Sequence, residues 1–65
     1  MCQSNAYFKN SKGEELILED VAKIDFTDDD KIRLVSLFGE EKDVAGTIEE
    51  INLLSHKIYI NKEND

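Results

Sequence analysis

The sequence has little of several residue types, and each shortage excludes a class of protein. It contains one cysteine, Cys2, and one histidine, His56, among 65 residues. A single cysteine excludes an internal disulfide and a Cys-x-x-Cys motif, and it suits a reducing compartment, an intermolecular bond or a metal. No apolar run approaches the roughly 20 residues that a membrane-spanning helix needs. A glycine-rich phosphate-binding loop is also missing.

Basic residues are scarce as well. Eight lysines and arginines stand against fifteen acidic residues, which gives a formal charge of −7. Phosphate contacts need clustered basic side chains, so this balance argues strongly against broad nucleic-acid binding and disfavours an anionic membrane surface. An acidic field attracts cations instead, although with little selectivity.

The length and the first residues predict a small soluble protein of the cytoplasm. Residues 1–65 are expected to form one domain, and a domain of this size buries only about 60% of the surface of its unfolded chain. Such chains often gain stability by oligomerising or by binding a metal. Gln3, Ser4 and Asn5 follow Met1-Cys2, where a secretory signal would have a basic and then an apolar run.

The hydrophobic pattern predicts an all-β fold. Short segments with alternating apolar residues are separated by turns rich in Gly, Asn, Asp and Glu, as in small antiparallel barrels. The predicted strands, about six or seven in number, are 2–9, 15–18, 21–26, 31–38, 42–45, 47–53 and 57–61. The polar residues 62–65 are predicted to fray.

Two of these segments carry more specific predictions. Segment 31–38 alternates between Ile32, Leu34, Ser36 and Phe38 on one face and Arg33, Val35 and Leu37 on the other. Because its second half is apolar on both faces, one face is expected in the core and the other at a subunit interface. Segment 47–53 breaks the alternation between Ile48 and Ile51, which predicts a bulge near Glu49-Glu50, with a short helix as the alternative.

Chemistry of metal binding is concentrated in Met1-Cys2. With Met1 retained, the terminal amine, the deprotonated Cys2 amide and the Cys2 thiolate line up so that adjacent pairs close five-membered chelate rings. With Met1 removed, the donors shift to the Cys2 amine and thiolate. Planar nitrogen-rich sites of this kind suit Ni(II) or Cu(II). A fourth donor is needed, and a symmetric dimer could supply it. The simpler alternative is that Cys2 packs as a small apolar group.

Other polar groups are weaker candidates. His56 is interpreted as an exposed turn residue before the last strand. Asp28-Asp29-Asp30 lacks the glycine and distal glutamate of an EF-hand loop and is interpreted as a solvated hairpin tip. Nothing in the sequence pairs Cys2 with His56 as a nucleophile and base, so the protein is not expected to be an enzyme.

The sequence also resembles a known family, the CooT-type small nickel-binding proteins. The resemblance covers essentially the whole chain and rests on the opening Met1-Cys2, the turn Leu37-Phe38-Gly39-Glu40-Glu41 and the closing pattern Gly46-x-Ile48-x-x-Ile51-x-Leu53-x-x-His56-x-Ile58. It implies a small SH3-like or Sm-like β-barrel that forms a homodimer. It also implies that Ni(II) is held through Cys2, with Met1 contributing through the backbone argument above. No ligand role is carried over to His56.

The function predicted is therefore a nickel metallochaperone that serves the maturation of a nickel enzyme such as carbon monoxide dehydrogenase. Two alternatives stay open. One is an Sm-like RNA-binding module, which the barrel type suggests and the charge of −7 opposes. The other is a protein-interaction module in which Cys2 is incidental.

Overall fold

The structure, a computed structural model, describes residues 4–62 and is all-β. Its strands close into a barrel in the order β1-β2-β3-β4-β5, which confirms the predicted fold class. The five strands are β1 Ser4–Asn10, β2 Gly13–Asp28, β3 Lys31–Ser36, β4 Glu41–Asn52 and β5 Lys57–Lys62. Within residues 4–62 no helix is long and apolar enough to span a membrane.

The barrel closes through a parallel pair, whereas the sequence predicted antiparallel pairing throughout. β1 and β5 run side by side from Asn5 and Lys57 to Phe8 and Ile60. The other four neighbouring pairs are antiparallel. A parallel pair cannot be joined by a tight turn, and here the whole of β2, β3 and β4 forms the connection.

The strand count is five rather than six or seven because two predicted breaks lie inside long strands. The predicted strands 15–18 and 21–26 are one strand, β2, which continues through Asp20. Asp20 has a left-handed φ of 56°, and the pairing with β1 shifts there between Ser4 and Ala6. A residue of this conformation forms a bulge that bends the strand, so β2 pairs first with β1 and then with β3.

The second merged strand is β4, which continues through Gly46. Residues before Gly46 pair with β3 and residues from Gly46 onward pair with β5. A Cβ at Gly46 would overlap the main-chain oxygen of Asn61, so only glycine lets the two strands approach this closely. The register shifts between Ile48 and Glu50, which confirms the predicted bulge and excludes the helical alternative.

A compact aliphatic core fills the barrel. It consists of Ala6, Leu18, Ile32, Leu34, Val44, Ile58 and Ile60. The inward face predicted for Ile32, Leu34 and Ser36 is confirmed, since all three are buried. Phe38 was predicted on the same face but is 77% exposed, because β3 ends at Ser36 and the chain turns away.

The two ends of the predicted strand pattern lie partly outside the described residues. Of the predicted segment 2–9, Cys2 and Gln3 are outside, and β1 is described from Ser4. Of the predicted polar tail, Lys62 belongs to β5, and residues 63–65 are outside.

Candidate metal centre

Four chain segments meet at the end of the barrel where residues 1–3 join β1. We call this region the amino-terminal end; it consists of residues 4–5, 19–21, 36–40 and 53–56. Two main-chain hydrogen bonds and one bond to the Asn5 side chain connect these segments in a row. The amide of Asn5 donates to His56 O over 3.0 Å, and the amide of Leu37 donates to Asp20 O over 2.8 Å. The amide of Asp20 donates to Asn5 Oδ1 over 3.1 Å. These bonds fix the start of β1 at this end of the barrel.

The β3–β4 turn presents apolar side chains at this end. The buried Ser36 holds the turn, because its Oγ accepts hydrogen bonds of 3.1 Å from the amides of Phe38 and Glu40. Gly39 supplies the left-handed conformation, with φ 87°, that a turn of this kind requires. As a result Leu37 is 50% exposed and Phe38 is 77% exposed.

The β4–β5 loop adds a second apolar pair. Asn52 Oδ1 accepts hydrogen bonds of 3.1 Å from the amides of Leu54 and Ser55, an arrangement typical of Asn at turns. The loop returns to β5 through His56, whose φ is 59°. Leu53 and Leu54 are exposed to 74% and 95%. The amino-terminal end therefore carries four exposed apolar side chains in an acidic protein.

The predicted metal ligands Met1 and Cys2 lie outside the described residues. Their ligand roles therefore stay predictions, and the described part of the chain begins at Ser4, in the amino-terminal end.

The predicted turn position of His56 is confirmed, since it lies in the β4–β5 loop, but the residue is half-buried rather than exposed. Its carbonyl oxygen contacts the amide of Asn5, three residues after Cys2. The sequence could not indicate this proximity, since the two residues are more than fifty positions apart. His56 thus belongs to the amino-terminal end, beside the first described residues of β1.

The acidic residues considered from the sequence are surface groups. Asp28, Asp29 and Asp30 lie at the β2–β3 turn, where Asp28 Oδ1 accepts a hydrogen bond of 2.8 Å from the amide of Asp29. Within residues 4–62, no group of three or more His, Cys, Asp or Glu side chains is arranged to hold a metal ion.

A polar cluster that sequence reasoning missed lies on the outside of the β1–β5 seam. The Tyr59 hydroxyl donates to Glu14 Oε2 over 2.8 Å, and Lys57 Nζ lies 3.5 Å from Glu14 Oε1. The hydrogen bond from Tyr59 lowers the pKa of Glu14, with the Lys57 charge adding to the effect. The Glu14 charge in turn raises the pKa of Lys57. Since Glu14 and Tyr59 are 45 positions apart, no local pattern could have predicted the pair.

Cations also contact aromatic rings at this seam. Lys9 Nζ lies 4.9 Å from the ring centroid of Tyr59, and Lys57 Nζ lies 5.4 Å from that of Tyr7. The two tyrosine rings are 6.1 Å apart. Contacts of these kinds each contribute modestly to stability, so the cluster holds the parallel strand pair together on its solvent side.

The fold and the exposed amino-terminal end define a small all-β barrel protein with a candidate contact surface at one end. The chain belongs to the CooT family: the family model described as "CO dehydrogenase accessory protein CooT" matches residues 1–61. The resemblance found in the sequence is thereby confirmed, and the family is one of accessory proteins of carbon monoxide dehydrogenase.

Individual relatives agree with this assignment. An uncharacterized protein of Methanocaldococcus jannaschii is 38% identical over 60 residues, covering 92% of this chain and 96% of the relative. An uncharacterized protein of Methanothermobacter thermautotrophicus is 38% identical over 64 residues, covering 98% and 94%. A crystal structure of a protein assigned to CooT from Carboxydothermus hydrogenoformans superimposes with a TM-score of 0.85 at 30% identity, covering 97% of this chain and all of that one.

Proposed function

We propose that this protein is a cytoplasmic nickel carrier that serves the maturation of a nickel enzyme such as carbon monoxide dehydrogenase, without being an enzyme itself. The observation that carries the proposal is the lone thiol at position 2 of a chain that matches an accessory-protein family of that enzyme from its first residue. In this proposal residues 1–65 are one domain, and the barrel positions the terminal segment.

The donor set at the terminus fits Ni(II). The Met1 amine, the Met1-Cys2 amide nitrogen and the Cys2 thiolate are adjacent, so each neighbouring pair closes a five-membered ring with one metal ion. Nitrogen and thiolate donors in a plane suit Ni(II) and Cu(II) better than the hard cations that carboxylates prefer. Bound nickel would be held in exchangeable form at a chain end, where a recipient can reach it. Because the amine and the thiol must lose protons, affinity falls as pH falls.

We further propose that two copies meet at the amino-terminal end and share the metal. Leu37, Phe38, Leu53 and Leu54 are all at least half exposed there, and a symmetric contact between two such ends would cover them. The same contact would bring two Cys2 residues together and complete a four-donor site. The contact would also add buried apolar surface to a chain whose own core is small.

The test is a titration of the reduced protein with Ni(II) near pH 7.5, followed by ultraviolet-visible absorption. We expect a thiolate-to-nickel charge-transfer band that saturates at half an equivalent per chain, as a shared site requires. Cys2→Ser should remove the band and leave the thermal unfolding midpoint unchanged. A Cys2→Ser variant that binds Ni(II) as tightly as the parent would refute the proposal.

His56→Gln is the companion variant, because His56 lies beside Asn5 at the same end. Unchanged stoichiometry and spectrum in this variant mean that the ligands belong to the terminal segments alone. Saturation at one equivalent per chain with a normal band would retain the nickel site and exclude the shared one. Absence of any thiol-dependent band would leave the barrel as a binding module of another kind.

A further inference from the structure

The first half of β4 has an open side. Residues 41–45, which we call the β4 edge, pair on one side with β3. Pairing with β5 begins only at Gly46, opposite Lys62. Among residues 4–62, no strand covers the other side of the β4 edge. An uncovered edge presents main-chain hydrogen-bonding groups to which another strand can add.

The direction of those groups follows from the hydrogen bonds at the two ends of the ladder. The amide of Gly46 donates to Asp30 O over 2.7 Å, and the amide of Ser36 donates to Glu40 O over 2.8 Å. In an antiparallel pair the residues that bond the neighbouring strand alternate with residues that point away. The main-chain groups of Glu41, Asp43 and Ala45 therefore point away from β3, along the open side.

A cleft lies on each face of the β4 edge. The outer cleft, of about 360 Å³, is lined by Lys31 and Arg33. The inner cleft, of about 280 Å³, is lined by Phe8 and Ile17 together with two lysines, Lys42 and Lys62. Because successive side chains of a strand point to opposite faces, an added strand would place its side chains alternately in these two clefts.

The clefts also have an unusual charge for this protein. Four of the eight basic residues line them, namely Lys31, Arg33, Lys42 and Lys62. The one carboxylate in the linings, Asp43, is paired with Arg33 at 2.7 Å. The four basic side chains outnumber the two carboxylates at this place, Asp43 and the edge residue Glu41, which also acts on Arg33. This local positive excess in a chain of net charge −7 selects an acidic occupant.

We propose that the β4 edge binds an extended acidic segment of a partner protein by strand addition. Main-chain bonds to Glu41, Asp43 and Ala45 supply affinity, as in other cases of strand addition. Alternate apolar side chains of the segment enter the inner cleft beside Phe8 and Ile17. Its acidic side chains alternate with these and enter the outer cleft beside Lys31 and Arg33. The positive charges of the two lysines in the inner cleft add to the attraction at a distance. The site uses no residue of the proposed nickel centre.

The test is an amide chemical-shift titration of the full-length protein, labelled with ¹⁵N, in low salt. The probe is the capped heptapeptide DVELDVE, and its matched control is KVKLKVK. Overall charge alone would favour the basic control, so the two peptides separate the site from the general field. We expect the acidic peptide to shift the amides of Glu41, Asp43 and Ala45 and to leave Leu53 and Leu54 unchanged.

Three variants and one control variant test the mechanism. Ala45→Pro removes an amide that points to the open side, so it should abolish binding. The variant should still fold, because proline is tolerated at strand edges. Lys42→Glu and Lys62→Glu keep the backbone and should each weaken binding by about tenfold. Lys23→Glu, on the exposed β2 surface, should leave binding unchanged. If Ala45→Pro fails to fold, the effect of Lys42→Glu and Lys62→Glu on peptide affinity tests the proposal instead.

Two outcomes would overturn the proposal. One is the absence of peptide-induced shifts at the β4 edge. The other is binding seen only in a variant that ends at Lys62, because this would assign the edge to residues 63–65 of the chain itself. Neither outcome bears on nickel binding, which the Cys2→Ser titration measures independently.

Discussion

The hydroxyl of Tyr59 controls the ionisation of one carboxyl on the barrel seam. It donates to Glu14 over 2.8 Å and is the main cause of the lowered Glu14 pKa, which is ordinarily 4.5. A carboxyl whose pKa is lower in the folded state contributes stability above its ordinary pKa and loses it as pH falls through the folded value. We therefore expect Tyr59→Phe to raise the Glu14 pKa and to reduce the loss of stability between pH 7 and pH 3.

The measurement is a carbon-13 titration of the Glu14 carboxyl, with urea unfolding at both pH values. Tyr7→Phe is the matched control, because it removes a neighbouring hydroxyl and keeps the Tyr59–Glu14 hydrogen bond. Its Glu14 titration should follow that of the parent. An unchanged Glu14 titration in Tyr59→Phe would mean that Lys57, rather than the hydroxyl, holds the carboxylate ionised.

At the scale of the strand, Gly46 lets β4 change partners from β3 to β5. A Cβ at this position would overlap the main-chain oxygen of Asn61 and lie 3.2 Å from Ile60 Cγ2. Backbone cannot yield as a flexible side chain can, so β4 and β5 would have to separate. We expect Gly46→Ala to lower the free energy of unfolding by about 1–3 kcal/mol, the usual range for overpacking, measured by urea denaturation.

Thr47→Ala is the control for Gly46→Ala, because Thr47 is exposed on the same strand. It should change the free energy of unfolding by less than about 0.5 kcal/mol. Propensity alone would favour alanine over glycine inside a strand, so a loss in Gly46→Ala reports the close approach of β5. A loss in Gly46→Ala no larger than that in Thr47→Ala would contradict the overlap with Asn61 as its cause.

The sequence predicted the elements best where one face alone is buried. The alternation of Ile32 and Leu34 located β3, and the interval from Ile48 to Ile51 located the bulge. The sequence could not show that Asp20 and Gly46 lie inside strands, because an acidic residue and a glycine are also typical of turns. Whether they break or bend a strand depends on partners far along the chain.

The candidate site also has one part that the sequence could predict and another part that it could not. The chemistry of Met1-Cys2 is local, so the sequence alone is enough to predict its donors, and this stays a prediction. The surroundings of the terminus are not local: the contact between Asn5 and His56 joins residues that only the parallel β1–β5 pairing brings together. The exposure of Phe38 was also missed, since a period of two predicts a face but not where the core stops covering it.

At the scale of the whole molecule, net charge opposes the association of two copies and exposed apolar surface favours it. A net charge of −7 keeps copies apart at a distance, and the repulsion is screened within about 8–10 Å at physiological salt. Contact between two amino-terminal ends removes four exposed apolar side chains from water. The proposed dimer should therefore strengthen as salt rises, unlike the acidic peptide contact at the β4 edge, which should weaken.

Two phenylalanines of similar exposure allow this dimer to be tested. Phe38 is 77% exposed at the amino-terminal end, and Phe26 is 72% exposed beside the β2–β3 turn. We expect Phe38→Ser to weaken self-association and Phe26→Ser to leave it unchanged, measured by sedimentation over a range of protein concentrations. In the parent and in Phe26→Ser, the unfolding midpoint should rise with concentration. A parent that sediments as a monomer throughout, or equal weakening by both substitutions, would remove the amino-terminal end as the dimer contact.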